Sequence, residues 1–468
     1  MPRHFDAVVI GTGQGGAPLA ARLGESGRTT AVVERAAFGG TCVNVGCTPT
    51  KSYVASARAA HVARHAAELG VQIGGPVHVD LAKVKTRKDG VVAESRDGVE
   101  KWLRGTKNVT VFNGHARFTG PHTLRVENND GTTEDLEADE IFINTGTRAV
   151  VPPVEGLERI RYHTNSSLLE LTELPDHLAI VGGSYIALEF AQVFRRFGSR
   201  VTVLVRGDRI LAREDEDFAH GVQSVLEREG IVFRFGAEPA RVEPLAVDGS
   251  GVRVSFAAGS SSGEPVDASH LLFATGRRTN TDDLGLDAAG LATDRHGMIP
   301  VDGQLRTRVP GIWAIGDVNG RGAFTHTSYD DFQIVAANLL DGGKRSVDDR
   351  IMAYAVYVDP PLARVGLSES DVRASGRPAL IATMPMSRVG RARERGETDG
   401  FMKALVDPQT KRILGAAIHG IEGDEAIHTF IDIMTADAPY TTLQYAMHIH
   451  PTISELIPTL LDRLKPLE

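Results

Sequence analysis

The sequence predicts an α/β protein: two Rossmann-like strand–glycine–helix–strand units, followed by a C-terminal segment of mixed strands and helices. Three observations predict it. An apolar run, a glycine-rich turn and a helix-like run open the chain. The same order returns near residue 180, and the character of the sequence changes after about Arg350.

The first unit begins with "DAVVI", Asp6–Ile10, a short strand-like run. Gly11, Gly13 and Gly16 follow in G-x-G-x-x-G spacing, and "APLAARLGESG" continues as a helix. A second strand, "TTAVVE", ends at Glu34, 23 residues beyond Gly11. Strand, glycines, helix, strand and acid in this order form a dinucleotide fingerprint. Glycines let backbone N–H groups approach a pyrophosphate at a helix N-terminus, and the terminal carboxylate accepts hydrogen bonds from a ribose.

The second unit reads "HLAIVGGSYIALEFAQVFRRFGSRVTVLVR". Gly182, Ser184 and Ala187 hold the three glycine positions. Ser184 departs from the pattern, because its side chain crowds the approach to a phosphate. The strand "VTVLV" ends in Val205 rather than an acid, with Arg206 next and Arg209 and Arg213 nearby. A missing carboxylate beside a basic residue favours a ribose carrying a 2′-phosphate, hence NADPH over NADH. "FINTGTR" (Thr145, Gly146) and "LFATGRRTN" (Thr275, Gly276) read as the chain returning from each unit. "VPGIWAIGDVNG" adds a strand ending at Gly316 and Asp317, an acid placed to bond a sugar-alcohol hydroxyl. The stretch "AVDGSGVRVSFAAGSSSGEP" reads as a surface hairpin. Beyond Arg350, "VGLSES", "FMKALVD" and "RILGAAIHG" read as strands of a mixed sheet, before terminal helices.

An apolar share of 42%, a charged share of 24% and a net charge of −9 describe a globular chain with no global attraction to nucleic acid or anionic lipid. The arginine-rich "SRVGRARERGETDG" lacks interleaved aromatics and reads as an exposed loop. No apolar run approaches a membrane span, and the N-terminus enters a strand without an h-region, so a cytoplasmic location is expected.

Cys42 and Cys47 in "GGTCVNVGCTPTK" are the only cysteines of the chain. A disulfide across C-x₄-C requires part of the loop to be non-helical. Pro49 suits the first turn of a helix, which puts Cys47 at a helix N-terminus, where the dipole favours thiolate. Such asymmetry suits a redox relay; zinc sites show closer spacing and a second ligand pair. "HIHPTISE" supplies His450, a proton source near neutral pH, and Glu455 to hold its other nitrogen. His448 in "HIH" has no third ligand to make a metal site. Glu425 and His428 resemble an E-x-x-H metal helix but lack a second such motif, so capping and packing explain them better.

"GGTCVNVGC" between two fingerprints, with "HIHPTISE" near the end, resembles the pyridine nucleotide-disulfide oxidoreductases over essentially the whole chain. The resemblance implies an FAD domain (1–150, completed by 275–345), an inserted NAD(P) domain (151–274) and a C-terminal α+β dimerisation domain (346–468). It implies that Cys47 faces the flavin as the charge-transfer thiolate and Cys42 is the interchange thiol. Lys51 and Glu189 would form an ion pair beside the flavin, and Tyr185 would cover the nicotinamide pocket. Thr41 and His115 join the expected cofactor contacts. His450 and Glu455 would reach the other subunit's cysteines, making the active enzyme a homodimer.

The implied activity passes electrons from NADPH through flavin and the Cys42–Cys47 disulfide to a small disulfide or a soft metal ion. "GCTPTK", "SYIALEFA" and "FTHTSYDDFQIVAANLL" look closest to the mercuric-reductase-like branch, yet the chain lacks the extra C-terminal cysteines of mercuric reductases. High-molecular-weight thioredoxin reductases are excluded on the same ground. A single Arg22 on the first helix weakens the case for glutathione. An NADH-linked dihydrolipoamide dehydrogenase is the alternative enzyme. A non-catalytic flavin-bearing redox sensor is the alternative outside catalysis, and the set Lys51, Glu189, His450 and Glu455 argues against it, since a sensor needs no proton relay.

Overall fold

A computed structural model describes residues 1–246, 250–257 and 263–468. The chain forms two compact units. The first comprises Met1–Ser52, Thr86–Val150 and Gly276–Arg350; the second comprises Tyr53–Lys85, Val151–Thr275 and Ile351–Glu468.

In the first unit, Arg3–Ile10 lies between Thr30–Glu34 and Thr133–Ile143, parallel to both. Val109–Gly120 extends the parallel sheet beyond Thr30–Glu34, and Ile312–Ala314 extends it beyond Thr133–Ile143. Val109–Gly120 and Thr133–Ile143 also pair antiparallel with Thr123–Asn128. Alternation along the first strand divides the core. Val8 and Ile10 join one apolar cluster, while Ala7 and Val9 join another, under the Gly16–Glu25 helix. Nearly every side chain of this strand beyond Asp6 is buried, as a parallel strand covered on both faces requires. Thr147–Ala149 pairs antiparallel with Arg277–Thr279 and closes the return.

The second unit holds a parallel four-stranded sheet, in the order His270–Phe273, His177–Val181, Arg200–Val205, Val232–Phe235. The Tyr185–Phe197 helix follows its first strand and buries Leu188, Phe190, Ala191 and Phe194. A six-stranded antiparallel sheet occupies the C-terminal part, with Ile413–His419 and Phe401–Val406 at its centre. Buried ion pairs fasten this unit internally. Arg364 meets Glu214 at 2.8 Å and Asp215 at 2.9 Å, and Arg196 meets Glu229 at 2.7 Å and Asp359 at 2.5 Å.

Several expectations need adjusting. "VGLSES" is strand only to Gly366; Ser368 instead caps the Glu369–Ser375 helix by accepting from the Asp371 N–H. The arginine-rich stretch is not a plain exposed loop, because Val389 and Ala392 are buried and anchor the short Gly390–Glu394 helix. Strands Pro239–Pro244, Val252–Phe256 and Val266–Ala268 pair antiparallel around the expected hairpin, whose residues 247–249 and 258–262 lie outside the described residues. After the terminal helix, Lys465–Pro466 adds a short edge strand. Among the described residues, no helix is long and apolar enough to cross a membrane.

The second unit also buries histidines. Burial holds His163, His177, His270 and His419 below the ordinary imidazole value of 6.5, and burial with the Arg196 charge lowers His61 to about 4. Below about pH 6.5 the unfolded chain therefore binds more protons than the folded one, and stability falls on acidification. A urea midpoint followed by far-ultraviolet circular dichroism should drop between about pH 7.5 and about pH 5. An unchanged midpoint would show that these rings stay accessible to protons in the fold.

Candidate functional site: a glycine-rich turn beside a cysteine pair

In the first unit, strand Arg3–Ile10 runs into a turn that no side chain at Gly11 could make. Gly11 has φ of 101°, and a Cβ there would sit 2.4 Å from the Asn144 carbonyl oxygen. Gly13 completes the turn, and Gly16 begins the helix. Asn144, buried at the end of the return strand, holds the whole arrangement. Its Oδ1 accepts from the Gly16 N–H at 2.9 Å, and its Nδ2 donates to the Ile315 carbonyl at 2.9 Å. Glu34 stands at the end of the second strand, accepting from the Thr12 N–H at 3.0 Å, the Thr12 hydroxyl at 2.7 Å and the Ala36 N–H at 2.9 Å.

Thr145 follows Asn144, and its buried Oγ1 has no hydrogen-bond partner among the described residues; Gly146 turns the chain away at φ of 62°. Asp317 accepts the Thr147 hydroxyl at 2.7 Å. Gly316, just before it, donates its N–H to Asp331 at 2.7 Å. Arg277, next to Gly276, ties these pieces to the cysteine loop. Its Nε donates to Thr147 Oγ1 at 2.8 Å and its Nη2 to Thr41 Oγ1 at 3.3 Å. His115 lies on the Val109–Gly120 strand, its Nε2 3.1 Å from the Asp283 carbonyl oxygen, and Asp283 Oδ1 is a second buried atom without a partner. A bare glycine cradle, a ribose acceptor and unsatisfied buried oxygens fit a dinucleotide such as FAD.

The cysteine loop rests on this turn. Gly40 approaches so closely that a Cβ would lie 2.8 Å from the Gly13 Cα, and its φ is 65°. Cys42 sits in the Gly40–Val45 helix. Gly46, with φ of −124° and ψ of −115°, breaks the helix, and Cys47 starts the next one, Cys47–His65. The non-helical break expected between the cysteines is therefore one residue long. Cys42 is half-buried and Cys47 exposed. Cys47 Sγ is 3.2 Å from Thr325 Oγ1, at the head of the Thr325–Leu340 helix. The hydrogen bond to Cys47, then burial, then the Cys47 charge push the Cys42 thiol well above the ordinary cysteine value. Lys51 follows one helical turn beyond Cys47.

In the second unit, Gly182 leaves the first strand of the parallel sheet, and Ser184 sits extended at the N-cap of the Tyr185–Phe197 helix, making no side-chain cap bond. Tyr185 and Ala187 lie in the first turn. Glu189 is buried one turn on and accepts the Tyr357 N–H at 3.0 Å. Arg206 is exposed at the end of the neighbouring strand, 4.0 Å from Glu238. His450 and Glu455 come together: His450 Nδ1 lies 2.7 Å from Glu455 Oε2, with the imidazole 79% exposed and the carboxylate 11% exposed. The carboxylate can only accept, so Nδ1 carries the proton and Nε2 faces outward. Sequence reasoning missed Asn144, Arg277 and Thr325, although each adjoins a residue or quoted motif it did use.

This fold and these residues define a flavin-dependent oxidoreductase with a redox-active cysteine pair. The pyridine nucleotide-disulphide oxidoreductase profile matches residues 5–331, and the dimerisation domain of that family matches residues 352–461. The chain belongs to the class I pyridine nucleotide-disulfide oxidoreductases, FAD-dependent enzymes whose C-terminal domain supports homodimer formation. It is 37% identical over 465 residues to the probable pyridine nucleotide-disulfide oxidoreductase RclA of Escherichia coli strain K12, covering 98% of this chain and 99% of that protein. It is 34% identical over 456 residues to a mercuric reductase of Streptomyces lividans, covering 97% and 94%. It is also 34% identical over 467 residues to a dihydrolipoyl dehydrogenase of Cupriavidus necator, covering 98% and 97%. The Cu(II) complex of RclA, described as an HOCl-induced flavoprotein disulfide reductase, superposes with a TM-score of 0.89 at 35% identity, covering 99% of each chain.

Asn144→Ala should strand the Gly16 N–H and the Ile315 carbonyl, each at about 1–3 kcal/mol, and weaken FAD retention roughly tenfold or more. FAD content after dialysis measures it; full retention would remove Asn144 from the cofactor cradle.

Proposed function

We propose that this enzyme draws electrons from NADPH and delivers them, through the Cys42–Cys47 disulfide, to a small disulfide or a soft metal ion. The observation that carries this reading is the unequal pair of sulfurs: Cys47 stands at the head of a long helix, and the Cys42 thiol beside it is pushed well above the ordinary cysteine value. Bound FAD supplies the acceptor for the nucleotide's hydride and the carrier of its two electrons to the disulfide.

The residues of this chain do the rest. Two electrons break the Cys42–Cys47 bond, leaving charge on Cys47 and a proton on Cys42. The partner subunit's His450 takes that proton at Nε2, making Cys42 the nucleophile. Its sulfur attacks one sulfur of the substrate, forming a mixed disulfide, and the departing thiolate takes a proton from the partner subunit's His450. Cys47 then attacks Cys42, expelling the second thiolate, which takes its proton from solvent, and restoring the intramolecular disulfide. Glu455 fixes the imidazole tautomer and stabilises its charged form. With metal ions, the pair binds the cation with loss of the Cys42 proton to solvent and returns to disulfide as its two electrons reduce one mercuric or two cupric ions. Lys51, one turn beyond Cys47, contributes positive charge where the reduced centre gains electrons.

NADPH is favoured because Val205 leaves no acid at the strand end and Arg206 is exposed there. One observation supports a second reading. Glu238 lies close enough to Arg206 to neutralise it, and a carboxylate there suits the 2′-hydroxyl of NADH, as an NADH-linked dihydrolipoamide dehydrogenase would need.

Steady-state oxidation of NADPH and NADH, with lipoamide, glutathione disulfide, mercuric and cupric ions in parallel, separates these readings. NADPH-preferring turnover of one disulfide or metal ion is expected; NADH-preferring turnover of lipoamide alone would favour the second reading. His450→Gln should lower disulfide turnover by roughly 10²–10⁴-fold while nucleotide still reduces the enzyme at its normal rate. Wild-type turnover of every disulfide by this variant would refute the proton relay.

A further inference from the structure

The Cys47–His65 helix ends in a turn whose side chains the redox chemistry leaves unused. His61 and His65 are four residues apart, so they project from one face of the helix. Their ring centroids lie 4.1 Å apart, with the planes inclined by 34°. Sequence reasoning singled out other histidines and passed over this pair.

Two features suit these rings to a metal cation. First, His65 Nδ1 lies 2.8 Å from the His61 carbonyl oxygen. A carbonyl only accepts, so Nδ1 carries the hydrogen and the Nε2 lone pair of an exposed ring is presented to solvent. A backbone carbonyl behind the distal nitrogen is the support that metal-bound histidines commonly have. Second, His61 is uncharged at neutral pH, because burial and the Arg196 charge lower it to about 4. Neutral imidazole is the form that binds metal. Arg196 does not leave net positive charge beside the pair, since Glu229 and Asp359 hold it.

We propose that His61 and His65, with the His61 ring turned out of its present stack on His65, form a bidentate site for a borderline transition-metal dication, with solvent completing the coordination. Two nitrogens exclude hard cations such as Mg²⁺ and Ca²⁺, which take oxygen ligands. The preference should follow Cu²⁺ over Ni²⁺ and Zn²⁺. Among the described residues no group of three or more histidine, cysteine, aspartate or glutamate side chains is arranged to hold a metal, so the site is a two-ligand chelate that exchanges readily. This inference does not depend on the electron acceptor. It does mean that cupric ions added to the enzyme meet two kinds of site, one of sulfur and one of nitrogen.

The test uses the full-length, flavin-loaded Cys42→Ser/Cys47→Ser protein, titrated with Cu²⁺ and separately with Ni²⁺. His61→Gln, His65→Gln and the double variant are made in the same background, because glutamine keeps helix propensity. One Cu²⁺ per chain is expected, with nitrogen ligation in its electron paramagnetic resonance spectrum. Each single substitution should weaken binding at least tenfold, and the double variant should abolish the nitrogen signature. FAD content and circular dichroism check that each variant is folded; because two independent singles are made, failure of one still leaves the other decisive. Unchanged Cu²⁺ affinity in a folded His→Gln variant, or no Cu²⁺ bound by the cysteine-free parent, would overturn the proposal.

Discussion

The first unit depends on backbone meeting backbone at the glycine-rich turn. Gly11 leaves its strand where a Cβ would collide with the Asn144 carbonyl, and Gly40 brings the cysteine loop onto Gly13. Three chain segments far apart in sequence converge there: the turn itself, the return at Asn144 and the strand end at Ile315. The Asn144 side chain is the polar link among them, and its amide satisfies one donor and one acceptor that would otherwise be buried alone. The Glu34 carboxylate, which accepts from Thr12 in the turn, and the cysteine loop resting on Gly13 are both positioned from this contact.

Resting on that turn, the cysteine loop makes two chemically similar residues unequal. A single glycine break puts Cys42 inside one short helix and Cys47 at the head of a long one. The hydrogen bond with Cys47, then burial and the neighbouring charge, push the Cys42 thiol well above the ordinary cysteine value. Thr325 lies against the Cys47 sulfur, and Arg277 reaches Thr41 on the same loop. The second unit supplies the complementary need, an exposed imidazole oriented by a mostly buried carboxylate. In the proposed reading, charge storage and proton delivery are thus built on separate scaffolds. Each is pre-oriented by its own hydrogen bonds.

Much of this was legible in the sequence because the determinants are local. The strand before Gly11, the acid at Glu34, the spacing of Cys42 and Cys47 and the His450–Glu455 interval all act through neighbours a few residues away. What escaped is non-local. Asn144 gains its role from Gly16 and Ile315, Arg277 from Thr41 and Thr147, and Thr325 from Cys47, and no pattern in one chain announces such meetings. Boundaries failed for a related reason. "VGLSES" has strand-like residues, but Ser368 finds the Asp371 N–H and turns the end of the run into a helix cap. The arginine-rich stretch looks solvated by composition, yet Val389 and Ala392 commit it to the core. The Ser184 departure from the glycine pattern is tolerated because its backbone is extended, a conformation open to any residue.

The most direct test is where the negative charge of the reduced pair resides. Ultraviolet thiolate absorbance, recorded against pH in Cys42→Ser and in Cys47→Ser, reads each sulfur alone. Thiolate should persist at neutral pH where Cys47 remains and be absent where only Cys42 remains. Thiolate at neutral pH in the Cys47→Ser protein, and none in its counterpart, would place the charge on Cys42 and contradict the assignment of the two sulfurs.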